Sequence, residues 1–315
     1  MAAKWTVGEY EGWTAWYGES AGIKLCVIPE LGSKAVMLLN KATGREWLWK
    51  SGKPLGHGGY ASGFGDGDES GWDEMFPGIN ACVYPEGPWK GAPIPDHGEV
   101  WSLPWSGWLT EEGKLACAVA GVTLPYKLTK TYTFVGSDTL RIDYEVANEA
   151  DHPLAFLWAA HMLLQAEAGM KLRVPAGLAE MEVSYSHGER LGAFGDKQAW
   201  PLARAEDGGE VDLGTVEPAA AGTAEKYYYT GRVPAGWATL ENPATGESIT
   251  LRYPPEQVPY LAIWANSGGY GGHAHYAIEP ATGRMDDLSH AMRNHEVAIV
   301  PGHGVYRWYL EVQLA

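Results

Sequence analysis

Tyr126-Lys127-Leu128-Thr129-Lys130-Thr131-Tyr132-Thr133-Phe134 alternates apolar or aromatic side chains with polar ones, and after Val135-Gly136-Ser137-Asp138-Thr139 the alternation resumes in Leu140-Arg141-Ile142-Asp143-Tyr144-Glu145-Val146. A period of two places every second residue on one face of an extended chain, so each run reads as a strand with one buried face. The short Gly-Ser-Asp segment between them reads as a hairpin turn. Working outward, Ile23–Ile28, residues 35–39, Ala116–Val119, Trp237–Leu240, Ser248–Tyr253, Tyr260–Trp264 and Val305–Val312 carry the same kind of short strand-like run bounded by Gly, Pro or Asn. Ala155–Leu164 is apolar almost throughout, which predicts a central strand covered on both faces. Only residues 286–294 suggest a helix, and a short one. The reading is all-β: a large antiparallel β-sandwich with few short helices, formed by residues 1–315 as a single domain.

Composition narrows the partners. A formal net charge of −16 and the lack of any Lys/Arg run longer than two residues argue against nucleic acid and against an anionic membrane surface. Cys26, Cys82 and Cys117 are odd in number and far apart, which suits neither a disulfide framework nor a zinc site and fits a reducing cytoplasm. No basic start leads into an apolar segment and no apolar run reaches the ~18 residues of a membrane span, so a soluble cytoplasmic protein is expected. Trp (15) and Tyr (17) far outnumber Phe (5), and such amphipathic rings suit both a sheet interior and the face of a sugar ring.

Residues 51–108 break the strand pattern with frequent Gly and Pro, and a long irregular segment of this kind is usually functional. It contains Gly71-Trp72-Asp73-Glu74-Met75-Phe76-Pro77 and Pro95-Asp96-His97-Gly98-Glu99-Val100-Trp101, whose aromatics, carboxylates and imidazole on Gly/Pro-bounded backbone suit a concave site. Asp73 and Glu74, being adjacent, point to opposite sides of an extended backbone. Asp66-Gly67-Asp68-Glu69 imitates the start of a calcium loop but lacks the later ligand spacing, and reads as a solvated acidic loop. His161 interrupts the apolar run, either as a core histidine with a partner or as a proton donor facing a cleft. In His273-Ala274-His275-Tyr276-Ala277-Ile278-Glu279, a strand would put His273, His275 and Glu279 on one face.

Taken in order, Gly71–Pro77, Pro95–Trp105, the stretch from Asn148 to Trp158-Ala159-Ala160-His161, and Ile278-Glu279-Pro280 followed by Pro301-Gly302 resemble the aldose 1-epimerase (galactose mutarotase-like) superfamily over nearly the whole chain. The resemblance implies a large antiparallel β-sandwich with a sugar cleft on one concave face. It implies Glu279 as general base, His161 as general acid and His97 as a sugar-holding residue. Trp72, Trp101 and Trp264 are candidates for stacking on the sugar, and Asp73, Glu74 and His275 complete the expected substrate-binding set. The partner would be a small-molecule carbohydrate, and a homodimer is compatible with this reading. Ring opening and reclosure need one proton acceptor at the C1 hydroxyl and one donor at the ring oxygen, and no cofactor or metal.

The chain departs from galactose mutarotases proper in lacking their Asn-Xaa-Leu-His-Gly-Gly segment and a matching arginine, so the sugar stays open. With only Lys90 and Arg284 near the motif loops, a neutral sugar is favoured over a phosphosugar. Two other readings stand beside the mutarotase: a non-catalytic carbohydrate-binding protein on the same fold, and a metal-dependent cupin-like sugar isomerase using His273, His275 and Glu279, whose HxHxxxE spacing resembles the first cupin motif.

Overall fold

In a computed structural model, which describes residues 4–315, two large antiparallel sheets dominate. One has eleven strands, in the order Lys4–Tyr10, Trp13–Glu19, Ile23–Ile28, Lys34–Asn40, Trp72–Met75, Ala159–Met162, Ala274–Ala281, Tyr260–Ser267, Thr223–Tyr229, Glu180–Ser186 and Lys197–Ala199. The other has eight, in the order Lys171–Arg173, Trp237–Glu241, Ser248–Arg252, Val305–Leu314, Thr139–Asn148, Tyr126–Phe134, Leu115–Ala120 and Ser106–Leu109. This is the all-β sandwich that the alternation predicts.

The hairpin forms as read. Tyr126–Phe134 pairs with Thr139–Asn148 from Tyr126↔Asn148 to Phe134↔Leu140, and Leu128, Lys130, Tyr132, Leu140, Ile142, Tyr144 and Val146 point inward. One continuous apolar core joins the sheets and contains Trp47, Trp72, Phe76, Trp158 and Trp308 among its larger side chains. Tyr144 and Trp308 stack at 5.1 Å with their planes 1° apart, so aromatic contact between neighbouring strands supplements burial. The helix at Leu288–Arg293 is also where expected, capped by Asp287, whose side chain accepts from the His290 N–H at 2.6 Å.

Two expectations are corrected. The apolar run 155–164 is not one strand: Leu154–Phe156 pairs with Ala298–Val300 in a small separate sheet, and Ala159–Met162 joins the eleven-stranded sheet. The switch occurs at Leu157 and Trp158, whose N–H groups go to Pro77 O and Thr282 Oγ1 instead of to a ladder, both at 2.8 Å. Hydrophobicity alone could not show that break, because the run is buried on both sides of it. Gly71–Pro77, in turn, is only partly loop, since Trp72–Met75 is a central strand between Lys34–Asn40 and Ala159–Met162. Among the described residues, no helix is long and apolar enough to cross a membrane.

Candidate active site

Strand register sets the floor of the cleft. His161 lies opposite Asp73 on one side. On the other, Ala159 pairs with Ala281, and continuing that antiparallel register puts His161 opposite Glu279. Glu279 then pairs with Ala262, and Ala262 with Tyr228. Side chains at directly paired positions project to the same face, with Cβ atoms about 4.5–5.5 Å apart. A single cross-strand row therefore carries Asp73, His161, Glu279 and Tyr228.

Above this row is a cavity of about 320 Å³ whose lining includes His161, Glu279, His97, Lys226, Asp286 and Trp264. His97 enters from the irregular segment on a left-handed backbone, with φ 58°. Its Nδ1 lies 3.0 Å from Asp96 Oδ1, and its ring stacks on Phe64 at 4.5 Å. Phe64 also meets the His161 ring edge-on at 4.8 Å, and the two imidazoles are 4.9 Å apart. The next residue, Gly98, fixes this placement: at φ 72°, a Cβ would lie 2.1 Å from Phe76 O. Gly98→Ala should therefore cost more than about 1 kcal/mol, read as a lowered urea midpoint with an unchanged slope.

Glu279 is fully buried and held by Lys226 Nζ, which also lies 3.6 Å from Asp286 Oδ1. Asp286 accepts from Tyr228 Oη at 2.8 Å and from Ser184 Oγ at 2.5 Å, so the acidic cluster is oriented on every side. Burial raises the Glu279 carboxyl above the usual range against the pull of Lys226. Burial pulls Lys226 down, but the Asp286 and Glu279 carboxylates outweigh it and hold the ammonium above its ordinary value. His161 is pushed well below the usual imidazole range, chiefly by burial and then by its electrostatic interaction with His97, Lys226, His275 and Lys34. Its Nδ1 is buried without a hydrogen-bond partner. In the resting cleft it is a neutral ring.

Trp264 and His275 form the far wall. Trp264 Nε1 donates to His275 Nε2 at 2.8 Å, which requires that nitrogen to be unprotonated. Burial, then the neighbouring His273, lowers His275 to about 3, in keeping with that role. The cupin-like alternative loses its ligand set here, because Glu279 is taken by Lys226 and His275 Nε2 by the indole. Among the described residues, no group of three His, Cys, Asp or Glu side chains is arranged to hold a metal ion.

Of the residues singled out from the sequence, His97, His161, Trp264, His275 and Glu279 line this one cavity. The others do not. Trp72 is part of the core, and Glu74 points between the sheets, accepting from Lys130, Tyr144 Oη and Trp158 Nε1. Trp101 lies behind Phe64, with its Nε1 donating to Asp96 O. Asp73 is buried beside His161 in the floor and does not line the cavity. The acidic loop is also not solvated throughout, since Asp68 is buried and accepts both oxygens' bonds from Lys34 Nζ, at 2.7 and 2.8 Å. Lys226, Asp286, Phe64, Tyr185 and Tyr270 line the cavity without having been singled out. Only Lys226 offered a signal, as a lone cation on the strand-like Thr223–Tyr229 segment.

No family model and no curated protein matches the chain in sequence. Solved structures do match in shape. The Slr1438 protein from Synechocystis sp. PCC 6803 superposes with a TM-score of 0.70 at 16% identity, over 99% of this chain and 95% of that one. A galactose mutarotase-like protein from Lactobacillus casei ATCC 334 gives 0.62 at 18% identity, over 99% and 100%. The chain has the galactose mutarotase-like fold. A galactose 1-epimerase from Lactobacillus acidophilus NCFM gives 0.63 at 11% identity, over 99% and 98%, so the mutarotase-like sandwich accounts for almost the entire chain. Within this mutarotase-like fold, the cavity lies on the face of the eleven-stranded sheet that carries His161, Lys226 and Glu279.

Proposed function

We propose that the protein is an aldose 1-epimerase-like mutarotase that interconverts the anomers of a neutral free sugar. The observation that carries this reading is the pairing of one carboxylate, Glu279, with one imidazole, His161, on adjacent strands at the floor of an aromatic-walled cavity. Glu279 takes the proton from the C1 hydroxyl while a proton passes from His161 Nε2 to the ring oxygen. The ring opens, the aldehyde end turns, and closure on the other face returns both protons. His97 and Trp264 hold the sugar, and Lys226 keeps Glu279 aimed.

A neutral substrate is supported by the pairing of the nearby cations. Lys226 is bound by Glu279 and Asp286, Lys53 by Glu69, and Arg284 by Glu182 and Glu296. A phosphate arriving in the cleft would have to displace a carboxylate from one of them. A cytoplasmic site of action is part of the proposal and is supported by three free cysteines.

A non-catalytic sugar-binding protein is the second reading, favoured by the resting neutrality of His161 and the tight Lys226–Glu279 pair. Anomer-exchange NMR with purified protein, over a panel of neutral aldoses and their 6-phosphates, separates the two. The expected result is accelerated exchange for at least one neutral aldose. Saturable binding without acceleration would establish the binding protein, and acceleration confined to the phosphates would overturn the neutral-sugar assignment.

A further inference from the structure

The mutarotase reading, on which this step rests, requires Glu279 to gain a proton inside a buried ion pair. Glu279 is 1% exposed and Lys226 8%, and the two are bound directly. A carboxylate matched one to one with an ammonium is a poor base. Once the C1 hydroxyl proton arrives, moreover, the carboxyl is neutral and the buried ammonium is left without a partner, which is costly.

Asp286 is placed to remove both difficulties. Its Oδ1 lies 3.6 Å from Lys226 Nζ, within reach of an ion pair. It is 5% exposed and comes from the segment between the Ala274–Ala281 strand and the Leu288–Arg293 helix, so it is fixed independently of the Lys226–Glu279 pair. The Tyr228 hydroxyl holds Oδ1 at 2.8 Å, and the Ser184 hydroxyl holds Oδ2 at 2.5 Å. Neither donor is a cation, and Arg284, two residues away, is bound by Glu182 and Glu296. Among the described residues, Lys226 is the one cation paired with Asp286.

We propose that Asp286 is a positioning residue that acts through Lys226, sharing its ammonium with Glu279 and taking it over while Glu279 holds the sugar proton. At rest two carboxylates compete for one ammonium, which leaves Glu279 the stronger base. On ring opening the O1–H bond breaks, Glu279 takes the proton, and the C1–O1 double bond forms. The C1–O5 bond breaks with its electron pair going to O5, which receives the His161 proton of the mechanism above. Lys226 keeps all its protons and changes only its partner. Reclosure returns the proton to the sugar and the ammonium to Glu279, with no oxidant or co-reactant.

The groups facing Glu279 are His161 from one adjacent strand, Lys226 and Tyr228 from Thr223–Tyr229, His97 from the irregular segment, Asp286, and His275 on its own strand. Its partner on the other adjacent strand, Ala262, carries no charge. Burial is the main cause of the raised Glu279 carboxyl; Lys226 then pulls it down and Asp286 pushes it up. Glu279 must be ionised to act, so activity is lost as pH falls through its value. That acid limb should therefore move to lower pH when the Asp286 charge is removed and to higher pH when the Lys226 charge is removed.

The test is Asp286→Asn beside Lys226→Gln, each close to the original in volume. In Asp286→Asn the acid limb should fall by about one pH unit, with kcat on the plateau about tenfold lower. In Lys226→Gln the limb should rise. An unmoved limb in Asp286→Asn, with or without a raised KM, would overturn the shared ammonium and make Asp286 a structural or sugar-holding residue. ¹³C NMR of the Glu279 carboxyl, assigned with Glu279→Gln, gives a readout that needs no activity: its midpoint should be lower in Asp286→Asn than in wild type, and an equal midpoint would overturn the proposal. Crystal structures of the wild type above and below that midpoint need no variant at all. Lys226 Nζ should lie on Glu279 above it and within hydrogen-bond distance of Asp286 below it; an ammonium that stays on Glu279 would overturn the exchange of partners. The expected NMR and crystallographic results in a protein without anomer exchange would instead sink the mutarotase reading and leave the shared ammonium standing.

Discussion

Glu279→Gln is expected to lower anomer exchange by roughly 10²–10⁴-fold, the range spanned by positioned acid–base catalysis. Gln fills the same volume but cannot accept the C1 hydroxyl proton. The fold should survive, since Lys226, released from Glu279, still has Asp286 at 3.6 Å. His161→Gln should produce a loss of similar size, because the ring oxygen then has no donor. In the proposed mechanism both groups act on protons in flight, so the loss should fall on kcat, whereas truncating Trp264 should fall mainly on KM. Matching circular dichroism and sugar binding with exchange abolished in both variants is the required pattern. Undiminished rates in both would place the chemistry elsewhere in the cleft.

How much of this was legible beforehand depends on the distance between the groups involved. Alternation in 126–146 reports which residues share a face, a local property, and the hairpin followed it residue for residue. Parity likewise separated Asp73 from Glu74. It could not tell which of them would face the cleft floor, because that depends on the strands packed above and below: Asp73 faces His161, and Glu74 faces Lys130 and Tyr144 between the sheets.

His161 stood out as a polar interruption of an apolar run, and Glu279 through its motif. Lys226 carried no comparable mark, since the meaning of a lone lysine in Thr223–Tyr229 comes from a carboxylate 53 residues later, brought beside it by the intervening Tyr260–Ser267 strand. Phe64, Tyr185 and Tyr270 reach the cleft from segments whose course is set by tertiary contacts. The exposed Tyr270, for instance, is held by reciprocal bonds in which Asn266 Nδ2 donates to its carbonyl and its N–H donates to Asn266 Oδ1. The tryptophans divide by the same logic. Trp72 and Trp101 have rings as suited to stacking as Trp264, but only Trp264 is on the cavity side of its strand.

The largest stability effect is expected on the inward face of Trp72–Met75, the strand paired with the one that carries His161. Lys130 and Glu74 are buried between the sheets, 1% and 0% exposed, with Lys130 Nζ donating to Glu74 Oε1 at 3.2 Å and to Ser33 O at 2.8 Å. Tyr144 Oη and Trp158 Nε1 donate to the same carboxylate at 3.0 and 2.8 Å, so no oxygen of Glu74 is idle. Removing one partner strands a charge that water cannot reach, and Lys130→Met should cost about 3–5 kcal/mol in urea unfolding. Glu74→Leu should cost a comparable amount, because it orphans Lys130 together with a buried hydroxyl and an indole N–H. In many proteins, replacing both members of a buried pair with apolar residues recovers the loss. Here recovery should be incomplete, since Tyr144 and Trp158 would still lack an acceptor at about 1–3 kcal/mol each. Adding Tyr144→Phe to the double variant should then restore part of the deficit, by removing the hydroxyl whose partner has gone. If Lys130→Met alone unfolds within about 1 kcal/mol of wild type, the pair is not the anchor that its geometry implies. Because Glu74 and Asp73 are consecutive on one strand, such a result would also remove the reason to regard that strand as a rigid platform for His161.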